Sequence, residues 1–401
     1  MINSLKLKVI LFGFIFTFFS SFGQSFFLGL FNSSIRETLS ITHGQFGSIY
    51  ASSTLCSSLL LIWVGKKIDD VNILRFAFIV TILLSFACFF FSKVSSILLL
   101  FIAIFLMRFS GQGMMSHTAS TTIARYFTKT RGRALSISWF GLSSAEFIMP
   151  VLMVYLLTII DWQSLWVIFS ITVLIVLPIA SFLLIKNLNL DSRETSDENF
   201  KDVKIKQWNR RDVLKDYRFY IISLNMLAMP WIFSGFAVFQ SFVQTSKGWG
   251  PYVIAQSFMS YSIFSVLTLF LSGFLIDKFT SRKLLIYMNI PLLVSVVILF
   301  FFDAPITAFI FLGLVGSSNG FANILGSSTW AELYGVKYLG SIKALTTALM
   351  VFATAFGVAL FGFLIDIGFS LGNIAAVSGV YIFISLILLF LIRKKLTPVI
   401  I

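Results

Sequence analysis

Apolar runs dominate the chain. Twelve of them are long enough to cross a hydrocarbon core of about 30 Å, and short polar stretches separate them. Their limits fall near residues 7–31, 44–64, 76–92, 96–124, 134–160, 164–185, 219–243, 252–276, 284–302, 306–331, 341–365 and 372–392. Inside a bilayer every backbone polar group must be satisfied within the protein, so runs of this length predict helices. The pattern therefore predicts an all-α polytopic membrane protein of twelve transmembrane helices. The one long polar interruption, 186–217, divides it into an N-terminal six-helix bundle, 1–185, and a C-terminal one, 218–401. The first run follows Lys6 and Lys8 but is too long for a signal-peptide core and lacks a small-residue cleavage site, so it reads as a retained span.

Composition agrees: 58% of the 401 residues are hydrophobic and 11% are charged. The net charge of +14 does not point to nucleic acid, because the cations stand in short clusters between apolar runs rather than on one solvated face. With an even number of spans, 26 of the 30 Lys and Arg residues fall on one side, while Arg36, Lys93 and Lys247 fall on the other. The positive-inside rule then places both termini and the 186–217 linker in the cytoplasm, at an inner membrane. The linker runs from acidic (Asp191, Glu194, Asp197, Glu198) to basic (Lys201, Lys204, Lys206, Arg210, Arg211) and is read as a plain connection with a short amphipathic helix. Cys56 and Cys88 lie within apolar runs and are read as packing residues, not as a disulfide or metal pair.

The two halves repeat at an offset near 208. Gly65-Lys-Lys-Ile-Asp69-Asp70 recurs as Gly273-Phe-Leu-Ile-Asp277-Lys278, Ala124-Arg-Tyr-Phe as Ala331-Glu-Leu-Tyr, and Gly113 as Gly320. Gly-x-x-x-Asp-(Arg/Lys)-x-x-x-(Arg/Lys) between spans two and three, echoed between eight and nine, resembles the signature loop of the major facilitator superfamily. The resemblance runs over essentially the whole length. The second copy, with Gly273, Asp277, Lys278 and Arg282, fits better than the first, where Asp70 stands at a position usually cationic. The stretch Arg108-Phe-Ser-Gly111-Gln112-Gly113, then Ala124-Arg125-Tyr-Phe and Arg131-Gly132-Arg133-Ala134-Leu135, is similar to the monocarboxylate-porter and oxalate:formate-antiporter branch. Ser20 and Ser21 stand where that branch often has an acid, and the eighth span lacks its common Arg. The resemblance implies a secondary transporter whose two bundles rock about a central site by alternating access, carrying a small molecule, with an organic anion as the suggested class. A monomer working in the lipid bilayer is expected.

Candidate chemistry is sparse. Arg108 and Glu146 are the ionisable residues deep within spans, each about 18 Å along its helix, and an intramembrane charge marks a functional site by default. They are expected to form a salt bridge, to bind an anion and carry a proton, or to do both in turn, with protons as the coupling ion. Arg108, Gln112 and Ser116 recur every fourth residue, and Asn319 and Asn323 match Gln112 and Ser116 at an offset of 207, so these amides are expected to line a cavity, with interhelical bonding as the alternative. Trp139 shares a face with Glu146. The resemblance adds Gln24, Trp231 and Gln240. His43 and His117 have no ligand-spaced partner, so no metal is expected. The absence of a phosphate-binding Gly-x-x-x-x-Gly-Lys-(Ser/Thr) loop excludes a P-loop ATPase. No cofactor, nucleic acid or enzymatic reaction is expected. A drug or siderophore exporter of the same fold, and a non-transporting receptor or sensor on a transporter scaffold, stay open.

Overall fold

The computed structural model describes residues 4–127, 130–186, 206–335 and 337–399, and among them the regular structure is helical throughout. Its contacts divide the chain into two compact units, Met1–Glu198 and Asn199–Ile401. Among the described residues, twelve helices are long and apolar enough to cross a membrane. The first unit holds α1 (Leu5–Gly29), α2 (His43–Val64), α3 (Ile73–Ser92), α4 (Ile97–Tyr126), α5 (Gly132–Leu156) and α6 (Trp162–Ile185). The second holds α7 (Tyr217–Val238), α8 (Pro251–Ile276), α9 (Ser281–Phe301), α10 (Ile306–Tyr334), α11 (Leu339–Asp366) and α12 (Leu371–Lys395).

Local chemistry sets the helix ends. Thr42 accepts from Gln45 N at 3.2 Å while the Gln45 side chain accepts from Thr42 N at 2.9 Å, a reciprocal cap that starts α2. Asn72, Ser96, Asp161 and Ser370 cap α3, α4, α6 and α12 through side-chain oxygens. Pro251 opens α8, where its missing N–H costs nothing.

Each unit packs in the same way. In the first, α1 lies on α5, α2 on α4 and α3 on α6; in the second, α7 lies on α11, α8 on α10 and α9 on α12. Small residues allow the closest crossings. A Cβ on Gly141 would collide with Phe14 O, and one on Gly357 would collide with Trp231 O, so α1–α5 and α7–α11 meet at the same kind of contact. Polar side chains bond across other pairs: Ser85 and Ser170 exchange hydroxyl bonds of 2.8–3.0 Å between α3 and α6, and Asn289 Nδ2 donates to Asn225 O at 2.6 Å between α9 and α7.

Two spans are not uniform. α1 changes from α-helix to a 3-10 turn at Ser21–Gly23, then to extended backbone at Gln24, before Ser25–Gly29 resumes. Within α4, Arg108–Met115 forms a π-helix. The expected linker, 186–217, falls largely on 187–205, which lie outside the described residues. From Lys206 onward it packs onto the second unit: Lys206 N donates to Val399 O at 2.8 Å, and Trp208 N to Tyr334 O at 3.0 Å. A short helix, Arg210–Lys215, follows, with a reciprocal cap between Asn209 and Asp212.

Candidate functional site

The break in α1 and the π segment of α4 pack against each other. Gly23 and Gly111 are the contact: a Cβ on Gly23 would collide with Met107 O and Gln112 N, and one on Gly111 would stand 2.7 Å from Gly23 N. The irregular turn frees the Gly23 carbonyl from the helix ladder, and Arg108 Nη1 donates to it at 2.9 Å. The guanidinium also lies 5.3 Å from the centre of the Tyr50 ring. Tyr50 in turn shares a 2.9 Å hydrogen bond with Ser25 Oγ, just past the break. Arg108 is 3% exposed, Tyr50 is fully buried, and Arg108 Nε has no partner.

The expected Arg108–Glu146 salt bridge does not form. Glu146 is 8% exposed and, among the described residues, makes neither a hydrogen bond nor an ion pair. The reason is packing order. The π segment of α4 lies on α1, α2 and α3, whereas α5 lies chiefly on α1, so the first span carries the contacts that each of the two makes. Adjacency in sequence did not give adjacency of these side chains. On this stretch the backbone bonds run from i to i+5 rather than from i to i+4. Gln112 is half-buried, and the Ser116 hydroxyl is buried without a partner.

The remaining candidates scatter. Asn319 Nδ2 donates to Ser265 Oγ at 3.0 Å, joining α10 to α8, while Asn323 is exposed. Trp231 is 4% exposed and packs among Phe356, Phe361 and Tyr381 inside the second unit. Gln240 is buried, with Nε2 donating to Ala237 O at 3.0 Å. Gln24 is the half-buried residue at the α1 break, and Trp139 is 37% exposed on α5.

The two motif loops differ. Gly65–Asp69 is a 3-10 turn closing α2, whereas α8 runs straight through Gly273. A Cβ on Gly273 would meet nothing within 4 Å and one on Gly65 would make only ordinary contact with His117, so neither motif glycine marks a close helix approach. The side chains of Asp69 and Asp277 lie outside the described part of the structure. Asp70 pairs with Lys67 at 3.7 Å on the surface, and Lys278 is exposed. Arg282 Nε donates to Glu332 Oε2 at 3.2 Å and its Nη1 to Leu396 O at 3.0 Å.

Several residues that hold these regions were not singled out from sequence. His117 Nε2 lies 2.9 Å from Gly65 O; a carbonyl only accepts, so this nitrogen carries the proton. Arg125 Nη1 donates to Ile68 O at 3.2 Å. Glu332 accepts from the backbone N–H of Ser281 at 2.9 Å. Asp216, Arg218 and Tyr334 form a buried network in which Arg218 also donates to Lys395 O and Thr397 O. Arg125 and Glu332 did carry a sequence signal, as mates in the repeat at an offset of 207.

Residues 13–260 match the family described as Major Facilitator Superfamily. No curated protein matches the chain. Among solved structures, the fold is similar to a bacterial homolog of the human lysosomal transporter Spinster in its inward-facing occupied form. The TM-score is 0.73 at 15% identity, covering 97% of this chain and 96% of that one. The unoccupied inward-facing form of that protein gives 0.73 at 14%, covering 98% of each chain. The nucleoside transporter NupG gives 0.71 at 14%, covering 98% and 99%. At these identities the likeness is one of fold.

Proposed function

Because the chain belongs to the major facilitator superfamily, a family of membrane transporters, we propose that it moves a small organic anion across the cytoplasmic membrane in exchange or symport with protons. The observation that supports an anion is Arg108: a guanidinium buried within a membrane span that has no carboxylate partner among the described residues. Such a cation is costly in hydrocarbon, and a substrate anion would offset that cost by pairing with it. Bidentate geometry suits a carboxylate. Glu146, buried and without a partner among the described residues, supports proton coupling, since taking up a proton would remove a buried charge. Both termini are assigned to the cytoplasm on the charge bias along the chain. Gradient energy rather than a covalent reaction drives the cycle in this reading.

The test is flux in proteoliposomes loaded with a panel of carboxylates under an imposed pH gradient. Uptake is expected to rise with the gradient, to fall at least tenfold in Arg108→Gln, and to become insensitive to the gradient in Glu146→Gln. Full gradient-driven uptake by Glu146→Gln removes the proton assignment, and unchanged anion uptake by Arg108→Gln removes the anion assignment.

A further inference from the structure

The last described residues of the chain bind back onto the second unit. α12 ends in a 3-10 turn, Arg393–Lys395, and the chain continues without regular structure to Val399. Pro398 accounts for this: its ring fixes its own backbone and biases Thr397 toward an extended conformation, so no helix resumes and the main-chain carbonyls stay open to donors from elsewhere. They are used. Arg218 Nη1 donates to Lys395 O at 3.1 Å and to Thr397 O at 2.8 Å, Arg282 Nη1 donates to Leu396 O at 3.0 Å, and Lys206 N donates to Val399 O at 2.8 Å. The donors come from the first turns of α7 and α9 and from the end of the linker.

One side chain anchors the tail. Leu396 is 4% exposed and belongs to an apolar cluster that draws Phe219 from α7, Leu285 from α9, Trp330 and Tyr334 from α10 and Ile342 from α11. Trp208, from the linker, packs against the same cluster, and its ring meets that of Tyr334 edge-on with centroids 5.4 Å apart. Arg218 joins the two segments: its guanidinium lies 5.8 Å from the centre of the Trp208 ring while it holds the tail carbonyls. Arg218 is itself fixed by Asp216 at 2.8 Å, and Asp216 also accepts from the Tyr334 hydroxyl at 3.2 Å. Charge-assisted bonds made where water is largely excluded are stronger than bonds between neutral groups. Thr397 and Val399 are exposed, so the tail rests on its carbonyls and on Leu396 rather than on a core of its own.

We infer that the tail is a releasable strap: it clamps the end of the linker to the second unit, and the two segments come free together while the spans stay folded. A segment held by a row of carbonyls and one side chain opens at far lower cost than a helix packed on several sides. The coupling is reciprocal, because whatever the tail contributes to holding the linker, the linker contributes to holding the tail. Release converts 206–209 from part of the second unit into part of the linker, which makes the tail a control point for the connection between the two units. The device goes beyond the transport reading and uses neither Arg108 nor Glu146.

The test is amide hydrogen exchange of the full-length protein in detergent, read by mass spectrometry on peptides that cover 206–209. Two variants weaken the strap: a chain ending at Arg393, and Leu396→Asp in the full-length chain, which sets a carboxylate in the apolar cluster. In each, exchange across 206–209 is expected to quicken by about tenfold or more, with α7 to α11 exchanging as in the wild type beyond their first turns. Trp208 N is the sharper reporter, since it bonds to Tyr334 O and not to the tail. In the reverse direction, Trp208→Ala is expected to speed tryptic cleavage after Lys395 by a similar factor. Unchanged exchange at Trp208 in both tail variants overturns the strap, as does unchanged cleavage in Trp208→Ala. Faster exchange throughout the second unit, or loss of fold in both tail variants, overturns it equally, because the tail would then be part of the bundle. The readout is made without flux, so failure here leaves the transport reading standing, and failure of flux leaves the strap standing.

Discussion

A guanidinium inside a membrane span needs compensation, and Arg108 draws it from a freed backbone carbonyl and an aromatic face. The charge itself stood out in the sequence; its partner did not, because no pattern marks which carbonyl a distant helix will release. The same holds for the glycines. Motif spacing drew attention to Gly273, whereas the backbone crossing falls at Gly23, where a Cβ would meet two main-chain atoms of α4. Gly23→Ala is therefore expected to lower stability by about 1–3 kcal/mol, as overpacked sites do. Gly273→Ala is expected to be neutral or to stabilise by up to about 1 kcal/mol, as for glycine in a helix. Thermal unfolding in detergent compares the two directly, and equal losses would contradict the crossing. Titration gives a second residue-scale case outside the spans. Asp161 caps α6, and hydrogen bonds from Ser164 hold its carboxyl below its ordinary value. A depressed folded value stabilises above the unfolded one, about 3.9, and that contribution is lost as pH falls through the folded value. The wild-type midpoint should then drop more steeply below about pH 4 than that of Asp161→Asn, whose amide still caps but does not titrate.

At the scale of elements, matched positions in the two halves solve the same problem with opposite charge. Near the end of α4, Arg125 donates to Ile68 O in the loop between α2 and α3; near the end of α10, Glu332 accepts from the N–H groups that begin α9. The repeat was legible at an offset of 207, but the reversal of donor and acceptor was not, since it depends on whether the neighbouring turn offers carbonyls or amides. Glu332 thus serves both as cap and as ion-pair partner of Arg282, each group being about a quarter exposed. Glu332→Ala is expected to cost about 1–2 kcal/mol, mostly through the lost cap. Glu332→Gln should recover part of that, because an amide oxygen still accepts. The reciprocal exchange Arg282→Glu with Glu332→Arg should recover none, since a guanidinium cannot accept from Ser281 N. Recovery by the exchange, read as the unfolding midpoint, would mean that the ion pair and not the cap carries the interaction. Span limits were readable to within a few residues because hydropathy and length decide them. The α1 break and the π segment of α4 were not: both stretches carry polar residues and glycines, Ser20–Ser25 and Arg108–Gly113, but such residues within a span equally mark interhelical bonding and do not by themselves specify a backbone type.

For the whole molecule, the sequence repeat reappears as packing: three helix pairings in the first unit recur with the same partners in the second. That correspondence follows from small residues at matched crossings and from hydrophobic runs of matched length, which is why the fold was accessible before any coordinates. The charges proposed to act in transport are not repeated. Arg108 corresponds to Val315 at the sequence offset of 207, so chemistry in this reading concentrates in one half while the other supplies a scaffold of buried aromatic and amide contacts. Orientation in the bilayer rests on the same large-scale property, charge. With 26 of 30 cations on one side, the cost of moving the loops the other way far exceeds that of any single substitution. Cys56 and Cys88 can first be replaced by Ala to give a cysteine-free background. In that background Lys93→Cys is expected to react with a membrane-impermeant maleimide on intact cells, and Lys394→Cys only after the membrane is permeabilised. Labelling of Lys394→Cys on intact cells would reverse the orientation.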